Sequence, residues 1–390
     1  HPESREGIFT GGSAGLSDFA FVMRENQVLA AGMNVNDIAT QPLGHLTISL
    51  GVRAETYPLA SRSNGFGLER LDPETNTVFL GGRGNVPKAN GFNVQPLFFA
   101  PRLGIAYRIN EKTVLRTGYG VNISPLPWSR PLRGFYPIVI NFAFPAPDLN
   151  SSIRSLAEGI PPVTGPDISS GAVQLPAAAD MRTPVAGRIQ RGYIQSWNFT
   201  LERTLPGQIV TSVGYVGTQS SNLAADLNIN SGQVIGAGNA GRPYSARFGR
   251  NIDTNLWDGR LSSRYHSLQT SIRRRFQRLT LQGAYTWSKA INAADDEGWT
   301  GTTWNWAPVY NRNIAPAGYD RRHVFQMGWV YELPFGAGKK FASSGVMKQI
   351  AGGWSVSAIH AAFTGTPFTP SSPGGTLNLP GNAQTPDQIN

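Results

Sequence analysis

The clearest pattern of apolar and polar positions lies between Tyr265 and Lys289. Apolar residues occupy alternate positions in two consecutive arms, and only Gln277 and Arg278 separate the arms. This period of two predicts a β-hairpin whose strands have one apolar and one polar face. Such a hairpin needs a hydrophobic medium on one side only, and either a protein core or lipid can supply it.

The same alternation recurs along the chain and predicts about ten strands. The segment before residue 44 is weakly patterned; we expect a short helix from Leu16 to Met23 and one strand over residues 30–38. In the last predicted strand the alternation is disturbed after Ile359, as a β-bulge would cause. The other strands are predicted at residues 45–56, 100–108, 113–123, 195–203, 208–217, 265–276, 279–289, 321–333 and 352–368.

The predicted connections alternate between short and long. This alternation is typical of an outer-membrane β-barrel, which has short turns at one rim and long external loops at the other. A compact soluble domain rarely contains an irregular stretch as long as residues 124–191. We therefore predict an all-β fold, an antiparallel up-and-down transmembrane β-barrel. Short connections are expected at 39–44, 109–112, 205–208 and 277–278, a medium one at 334–352, and long ones at 57–97, 124–191, 218–261 and 291–319.

The amino-acid composition agrees with an all-β fold and excludes several other kinds of protein. The chain has 45 Gly and 28 Pro, many aromatic residues and few helical patterns. Because it has no Cys, it has no disulfide, thiolate zinc site or cysteine nucleophile. No apolar run reaches the roughly 18 residues of a membrane-spanning helix. The net charge of +10 is spread over many strands, so no nucleic-acid partner is predicted, whereas anionic lipid headgroups are suitable partners.

The apolar faces of the predicted strands carry aromatic residues near the strand ends. An apolar ring with a polar tip is favoured at a membrane interface, where barrels have aromatic girdles. Packing in a soluble sandwich is the alternative, but the loop lengths favour lipid. The predicted interface aromatics are Tyr107, Tyr119, Trp197, Tyr215, Tyr285, Trp287, Trp329, Tyr331 and Trp354.

The opposite faces are polar, which is typical of a water-filled or plugged lumen. The charged residues there either bind a ligand or pair with one another across neighbouring strands, and we expect pairing. The predicted lumen-facing residues are Arg53, Glu55, Arg102, Arg108, Arg116, Glu202, Gln269, Gln282 and Gln326.

No catalytic, cofactor-binding or metal-binding residue is predicted, so the chain is not interpreted as an enzyme. Gly11–Gly15 fits G-x-S-x-G and Gly236–Gly241 fits G-x-G-x-x-G, but neither has the strand and helix that these motifs need, and the second is expected to be a flexible external loop. Asp295–Glu297 lacks the spaced ligands of a calcium site. The histidines His45, His266, His323 and His360 are scattered singly.

Three tryptophans in one predicted external loop are possible ligand contacts. Their rings can stack on a sugar or another planar ligand. Packing of the loop over the barrel mouth explains them equally well. They are Trp299, Trp304 and Trp306.

Several segments together resemble the barrel of Oar-like TonB-dependent receptors. They are FAPRLGIAYRINEKTVLRTGYGVNISP, SWNFTLERTLPGQIVTSVGYVGTQSSNL, YHSLQTSIRRRFQRLTLQGAYTWSKAI, YDRRHVFQMGWVYELPFGAGK and GGWSVSAIHAAFTGTPFTP. The resemblance runs from about Gly44 to Pro370 in family order. It implies a barrel of about 22 strands in the cell outer membrane, of which this chain supplies about ten.

The resemblance also implies a division of the chain and a function. Residues 1–43 stay poorly assigned, 44–370 form part of a receptor barrel, and 371–390 are a loop or a truncated end. The function implied is import of an unidentified ligand, with outer-membrane lipid, a plug domain and a TonB-type energy-transducing complex as partners through parts outside this chain. The alternatives are a structural or adhesion barrel without active transport and a soluble all-β glycan-binding or enzyme domain.

Overall fold

The fold is built almost entirely from strands. The computed structural model describes residues 19–24, 27–33, 39–43, 45–62, 64–124, 126, 134–141, 153–159, 162–276, 278–295, 301–370, 372 and 376–385, with side chains from residue 45 onward except at 156. The strands are β1 (Phe19–Arg24), β2 (Gln27–Met33), β3 (Ala39–Leu43), β4 (Leu46–Glu55), β5 (Glu69–Asp72), β6 (Thr77–Leu80), β7 (Phe92–Asn93), β8 (Phe98–Asn110), β9 (Thr113–Ile123), β10 (Ala172–Gln174), β11 (Met181–Pro184), β12 (Gly187–Arg188), β13 (Tyr193–Leu205), β14 (Ile209–Asn228), β15 (Thr254–Phe276), β16 (Leu279–Asn292), β17 (Ala315–Pro316), β18 (His323–Glu332) and β19 (Ser355–Phe363).

Helices are short and lie in the connections. The α-helices are α1 (Ser245–Phe248) and α2 (Gly345–Ala351), and 3-10 turns cover Leu156–Glu158, Gly238–Gly241 and Ala307–Asn313. None of the helices in the described residues is long and apolar enough to span a membrane.

One large antiparallel sheet dominates the molecule. Its strands follow the order β19-β18-β16-β15-β14-β13-β9-β8-β4-β1-β2, with β3, β11 and β17 attached at its sides. Neighbours in this sheet are mostly consecutive in the chain, which confirms the predicted up-and-down meander. Among the described residues no pairing joins β19 to β2, so this part of the sheet is open.

The predicted hairpin at the centre of the sequence is confirmed. Phe276 pairs with Leu279 next to the turn, and the β15–β16 ladder continues without a break to Ser263 and Asn292. The neighbouring β13–β14 turn is equally tight, because Leu205 pairs with Ile209. These short turns fix the register, so each strand presents alternate residues to opposite faces.

The two faces of the sheet differ as the alternation predicts. The apolar face is exposed: Phe199, Val213 and Trp287 have 52%, 50% and 53% of their surface free. Exposed apolar side chains in adjacent rows of a continuous sheet form a band that needs lipid or a partner to cover it. This face is called the outer face below, and the opposite face is called the polar face.

The long connections all leave from one rim and are more ordered than the sequence predicts. They pack into what we call the loop layer, the described parts of residues 56–97, 124–192, 229–253, 293–322 and 364–385. It contains a three-stranded sheet, β10-β6-β5, and the parallel pair β12-β7. Three apolar clusters of buried residues lie in this layer and on the adjoining ends of β14 and β15. They include Leu68, Phe92 and Trp257 in the first, Leu71, Val78 and Met181 in the second, and Ala225, Leu227 and Leu261 in the third.

Strands β14 and β15 extend far beyond their predicted ends. The ladder passes the irregularity between Ser220 and Leu223 and continues to Asn228, paired with Asn255. The expected loop over 218–261 is therefore only 229–253. The sequence hid this extension because the alternation is lost at the bulge, while the backbone pairing is not.

Three further expectations need correction. Residues 19–24 form β1, paired with β2 and β4, so the helix expected over Leu16 to Met23 is wrong where the structure describes it. The strand expected over residues 30–38 is β2, which ends at Met33, and β3 follows at Ala39; residues 34–38 lie outside the described residues. The ladder between β18 and β19 is regular through Phe363, so no bulge follows Ile359.

The outer-face assignment predicts an asymmetric response to charge. Val213→Arg places a guanidinium in the middle of the apolar band and should destabilise the folded barrel by about 2 to 4 kcal/mol. Gln282→Arg places the same group on the polar face and should cost much less. Urea titration of the protein in lipid vesicles, followed by heat-modifiable gel mobility, measures both. Equal costs would contradict the assignment of the faces.

Candidate functional site

The nine residues predicted to face the lumen all lie on the polar face. Arg116 pairs with Thr200, and Thr200 with Gly214, which pairs with Gln269, so these residues form one row across four strands. The next row contains Arg108, Glu202 and Gln326. In this row Ser212 and Ser271 lie between Glu202 and Gln326. Arg53, Glu55, Arg102 and Gln282 project from the same side. That this side lines a lumen stays a prediction.

Charges on the polar face pair less than expected. Arg53 forms an ion pair with Glu55 two residues along the same strand, not across strands. Arg102 donates to the Asn122 side chain at 3.1 Å. Arg116 and Glu202 form no ion pair with a described residue, because the residues registered opposite them are uncharged: Thr200 opposite Arg116, Val114 and Ser212 opposite Glu202.

Glu55 also anchors the base of the loop layer. Its carboxylate is 3% exposed and accepts a hydrogen bond from the Tyr57 hydroxyl. The Arg191 guanidinium lies 3.8 Å from the centre of the Tyr57 ring. Burial, together with the neighbouring Glu55 carboxylate, raises the pKa of Tyr57, so the phenol stays protonated and remains a donor.

Eight of the nine predicted interface aromatics lie in outer-face rows. Trp197 pairs with Tyr119, and its ring covers Gly217 on the next strand. Trp354 lies just before β19, where it is 63% exposed and donates to the Ile350 carbonyl. Their depth in a bilayer stays a prediction. The remaining seven are Tyr107, Tyr119, Tyr215, Tyr285, Trp287, Trp329 and Tyr331.

Three of the four scattered histidines, His266, His323 and His360, contact aromatic residues on neighbouring strands. The Tyr215 hydroxyl lies 2.7 Å from His266 Nδ1, and the Tyr285 hydroxyl lies 2.8 Å from His323 Nδ1. Trp329 Nε1 donates to His360 Nε2 at 3.3 Å. These pairs could not be predicted from the sequence, because they depend on which residues lie opposite each other in neighbouring strands.

A buried network of hydrogen bonds fixes the connection formed by residues 229–253. The Asn230 amide, fully buried, donates to the carbonyls of Arg250 and Ile252 at 3.0 and 2.8 Å. Arg242 donates to the Asn230 carbonyl at 2.6 Å and to Asp253 at 2.9 Å. Such a network specifies one arrangement of this connection, because each buried polar group needs its partner.

Arg250 links two long loops through backbone carbonyls. Its side chain is fully buried and donates to the carbonyls of Pro176 and Ala179 at 2.5 and 3.1 Å. It also donates to the Thr254 hydroxyl at 2.9 Å. Burial lowers the pKa of Arg250 to about 10, which still leaves the guanidinium charged at neutral pH.

The loop tryptophans have different environments. Trp304 is 3% exposed, so its ring packs inside the loop layer. Trp306 is partly buried, and its indole Nε1 donates to the Gln233 carbonyl at 3.0 Å. Trp299 lies outside the described residues. The burial of Trp304 favours packing within the loops over stacking on a ligand. Ligand contact by the three tryptophans stays a prediction.

Two motif-like segments have structural roles. Gly236–Gly241 lies in the loop layer, where Gly236 and Gly238 donate to the carbonyls of Leu377 and Asn378, so it is held rather than flexible. Asp295 accepts from the Gly318 amide and the Asn292 side chain, both at 2.9 Å. Asp296 and Glu297 lie outside the described residues. No cluster of three or more potential metal-ligating side chains occurs in the part of the chain that is described.

One cavity in the loop layer has the dimensions of a ligand site. Its volume is about 450 Å³, within the usual range for small-molecule pockets. Asn141, Asp180 and Arg182 give it polar groups, and Phe135 and Tyr136 give it aromatic surface. No pattern in the sequence predicted this site, because its residues come from a stretch that is predicted to be an irregular loop.

These features define a membrane β-barrel of the outer-membrane type. The chain belongs to the family described as "Outer membrane beta barrel domain", whose model matches residues 41–390. The protein is therefore located in the cell outer membrane, and the soluble alternative is removed. A search of curated proteins gives no match.

The solved structures that the chain matches include outer-membrane proteins. The FrpB iron transporter from Neisseria meningitidis is 9% identical, with 75% of this chain and 29% of that chain covered and a TM-score of 0.37. The alcaligin outer membrane receptor FauA from Bordetella pertussis is 14% identical, with 77% and 34% covered and a TM-score of 0.33. The chain thus spans about a third of their length. Similarity at this level assigns no ligand.

Arg250 provides a test of the loop layer. Arg250→Ala leaves two carbonyls and a buried hydroxyl without their donor, which should cost about 2 kcal/mol or more and loosen the loops. We expect faster limited proteolysis within residues 162–191 and 229–253, with unchanged heat-modifiable mobility of the barrel. Arg247→Ala, which removes an exposed contact to Glu74, is the control and should change neither. Equal protease resistance of all three proteins would contradict the role of Arg250.

Gly217 tests the packing of Trp197. A Cβ at this position would lie 2.4 Å from the Trp197 ring, so Gly217→Ala must displace the indole and should destabilise the barrel by about 1 to 3 kcal/mol. Gly328→Ala is the control, since its Cβ would meet only the Ala358 carbonyl at 4.0 Å. Urea titration in vesicles measures both. A neutral Gly217→Ala would show that the ring is not fixed there.

Proposed function

We propose that this chain is part of the barrel of a TonB-dependent outer-membrane receptor of the Oar-like type, which binds a ligand at its external loops and imports it. Residues 44–370 are the barrel portion in this proposal. Residues 376–385 belong to the loop layer, since Ala383 donates to the Thr303 carbonyl and Leu377 accepts from Gly236. A plug domain and a TonB-type energy-transducing complex are the expected partners.

The observation that carries the proposal is the fixed loop layer on one rim of a two-faced sheet. A barrel with only a structural role needs closed strands and short loops, whereas a receptor needs a specific surface outside the membrane. Here a buried network around Asn230 fixes one long loop, Arg250 joins that loop to Pro176 and Ala179 of another, and the cavity beside Asp180 and Arg182 lies in the same layer. Binding and passage, not covalent chemistry, are the functions such an arrangement serves.

The resemblance of the strand segments to Oar-like receptors agrees with this proposal, as does membership of the outer-membrane barrel family. The ligand is left open. The loop cavity, with one exposed carboxylate, one guanidinium and two aromatic rings, fits a polar organic molecule or its metal complex better than an apolar one.

Energy-dependent uptake tests the proposal. A strain that lacks the native gene should lose uptake of one member of a panel of labelled siderophore complexes, cofactors and oligosaccharides, and the wild-type gene should restore it. A protonophore should abolish the restored uptake, because the energy comes from the inner membrane. Uptake unchanged by the deletion for the whole panel would favour a structural or adhesion barrel.

A point variant tests whether the loop cavity is the ligand site for uptake. Asp180→Asn in the loop cavity should raise the KM for uptake severalfold while the amount of protein in the outer membrane stays constant. Glu111→Gln, which removes one carboxylate charge from a short turn at the other rim, is the matched control and should leave KM unchanged. Identical KM values for both variants would exclude the cavity as the ligand site, but not transport itself.

A further inference from the structure

A cleft on the outer face is not explained by receptor function. It has a volume of about 430 Å³ and lies on β14, β15 and β16, close to the rim from which the long loops leave. Tyr215, His266 and Trp287 are among the residues that line it. Because the outer face of an outer-membrane barrel contacts lipid, whatever fills this cleft comes from the membrane side.

The wall nearest the long-loop rim is basic. Lys289 pairs with His266 in the strand register, and Arg322 directly precedes β18. Both Lys289 and Arg322 are exposed, and neither forms an ion pair with any residue that the structure describes. One row further from the apolar band, Arg264 adds a third cation, paired in register with Ile291. None of the lining residues is acidic.

The opposite wall is apolar and continues into the band that faces lipid. Leu268 is 39% exposed and Trp287 is 53% exposed, and the two residues are directly paired across β15 and β16. The next row carries Tyr285 and Phe325 on the same face. The cleft therefore joins a cationic end to a continuous hydrocarbon surface, which is the arrangement an anionic amphiphile requires.

His266 is held in position between these walls. Its ring stacks on Tyr215 with 6.1 Å between ring centroids and an interplanar angle of 12°. The Tyr215 hydroxyl occupies Nδ1 at 2.7 Å, and Nε2 has no hydrogen bond to a described residue. When the hydroxyl donates to Nδ1, the ring proton is on Nε2, which then serves as a neutral donor beside Lys289.

We propose that this cleft binds a phosphorylated lipid of the outer leaflet. Lys289 and Arg322 hold the phosphate, with His266 as an additional donor, and an acyl chain lies along Leu268 and Trp287. Ammonium and guanidinium groups are the usual protein partners of phosphate, and their attraction to anionic lipid falls off within about a Debye length of the surface. The proposal depends on the outer-membrane location and is independent of the proposed transport.

Native mass spectrometry tests the proposal directly. The full-length outer-membrane protein, purified in neutral detergent, is titrated with diphosphoryl lipid A, a doubly phosphorylated acylated disaccharide. The wild type should bind it in a saturable manner. The variant Lys289→Gln/Arg322→Gln should weaken the Kd by about 30-fold, and lipid A without its phosphates should bind the wild type comparably weakly.

The control removes two positive charges from the other rim. Lys112 and Lys348 are exposed near the short turns, and Lys112→Gln/Lys348→Gln should leave the Kd unchanged. Heat-modifiable mobility verifies that each variant is folded; if the double variant is not, Lys289→Gln and Arg322→Gln singly should each weaken binding about fivefold.

Three results would overturn the proposal. Equal weakening in the control would show attraction to net charge only. Unchanged binding after loss of Lys289 and Arg322, or of the lipid phosphates, would exclude the cleft as a phosphate site. Displacement of the lipid by inorganic phosphate at millimolar concentration would show a site for free anions, not for a lipid.

Discussion

The structure depends on one constraint, which is that a backbone in hydrocarbon must satisfy its N–H and C=O groups without water. The eleven strands on the main path of the sheet do so by antiparallel pairing, mostly with the strand before or after them in the chain. Pairing of this kind leaves alternate side chains on two faces, so one face can suit lipid while the other stays polar. The two-faced sheet, its short turns at one rim and its exposed apolar band all follow from this single requirement.

The strands that cross the apolar band were predictable from the sequence, since each face there has its own chemistry. Leu268 and Ile272 alternate with Gln269 and Arg273, and the structure gives them the expected faces. The N-terminal strand β1 was not predictable, because FAFVMR is apolar at nearly every position and fits a helix as well as a strand. Its pairing with β4 decides the matter, and that contact is distant in sequence.

The loop layer was the least predictable part. Asn230 and Arg250 look like solvated loop residues in the sequence, yet both are fully buried. The burial of Arg250 results from contacts between segments more than 70 residues apart, such as the one with Pro176, and no local pattern encodes such contacts. The parallel pairing of the short strand β11 with β15 also joins segments far apart in the chain, so no local pattern predicts it. The candidate ligand cavity, which lies among these segments, was equally invisible to local analysis.

The unusual length of β14 and β15 determines how far the loop layer lies from the apolar band. β15 continues for 12 residues from His266, at the edge of the apolar band, to its start at Thr254. At about 3.3 Å per residue and a tilt of about 45°, this extension reaches roughly 28 Å beyond the apolar band. The two paired strands hold the loops at this distance from the apolar band. In the proposed orientation, with the long loops outside the cell, a solute, an antibody or a phage meets a protein surface before it meets the membrane.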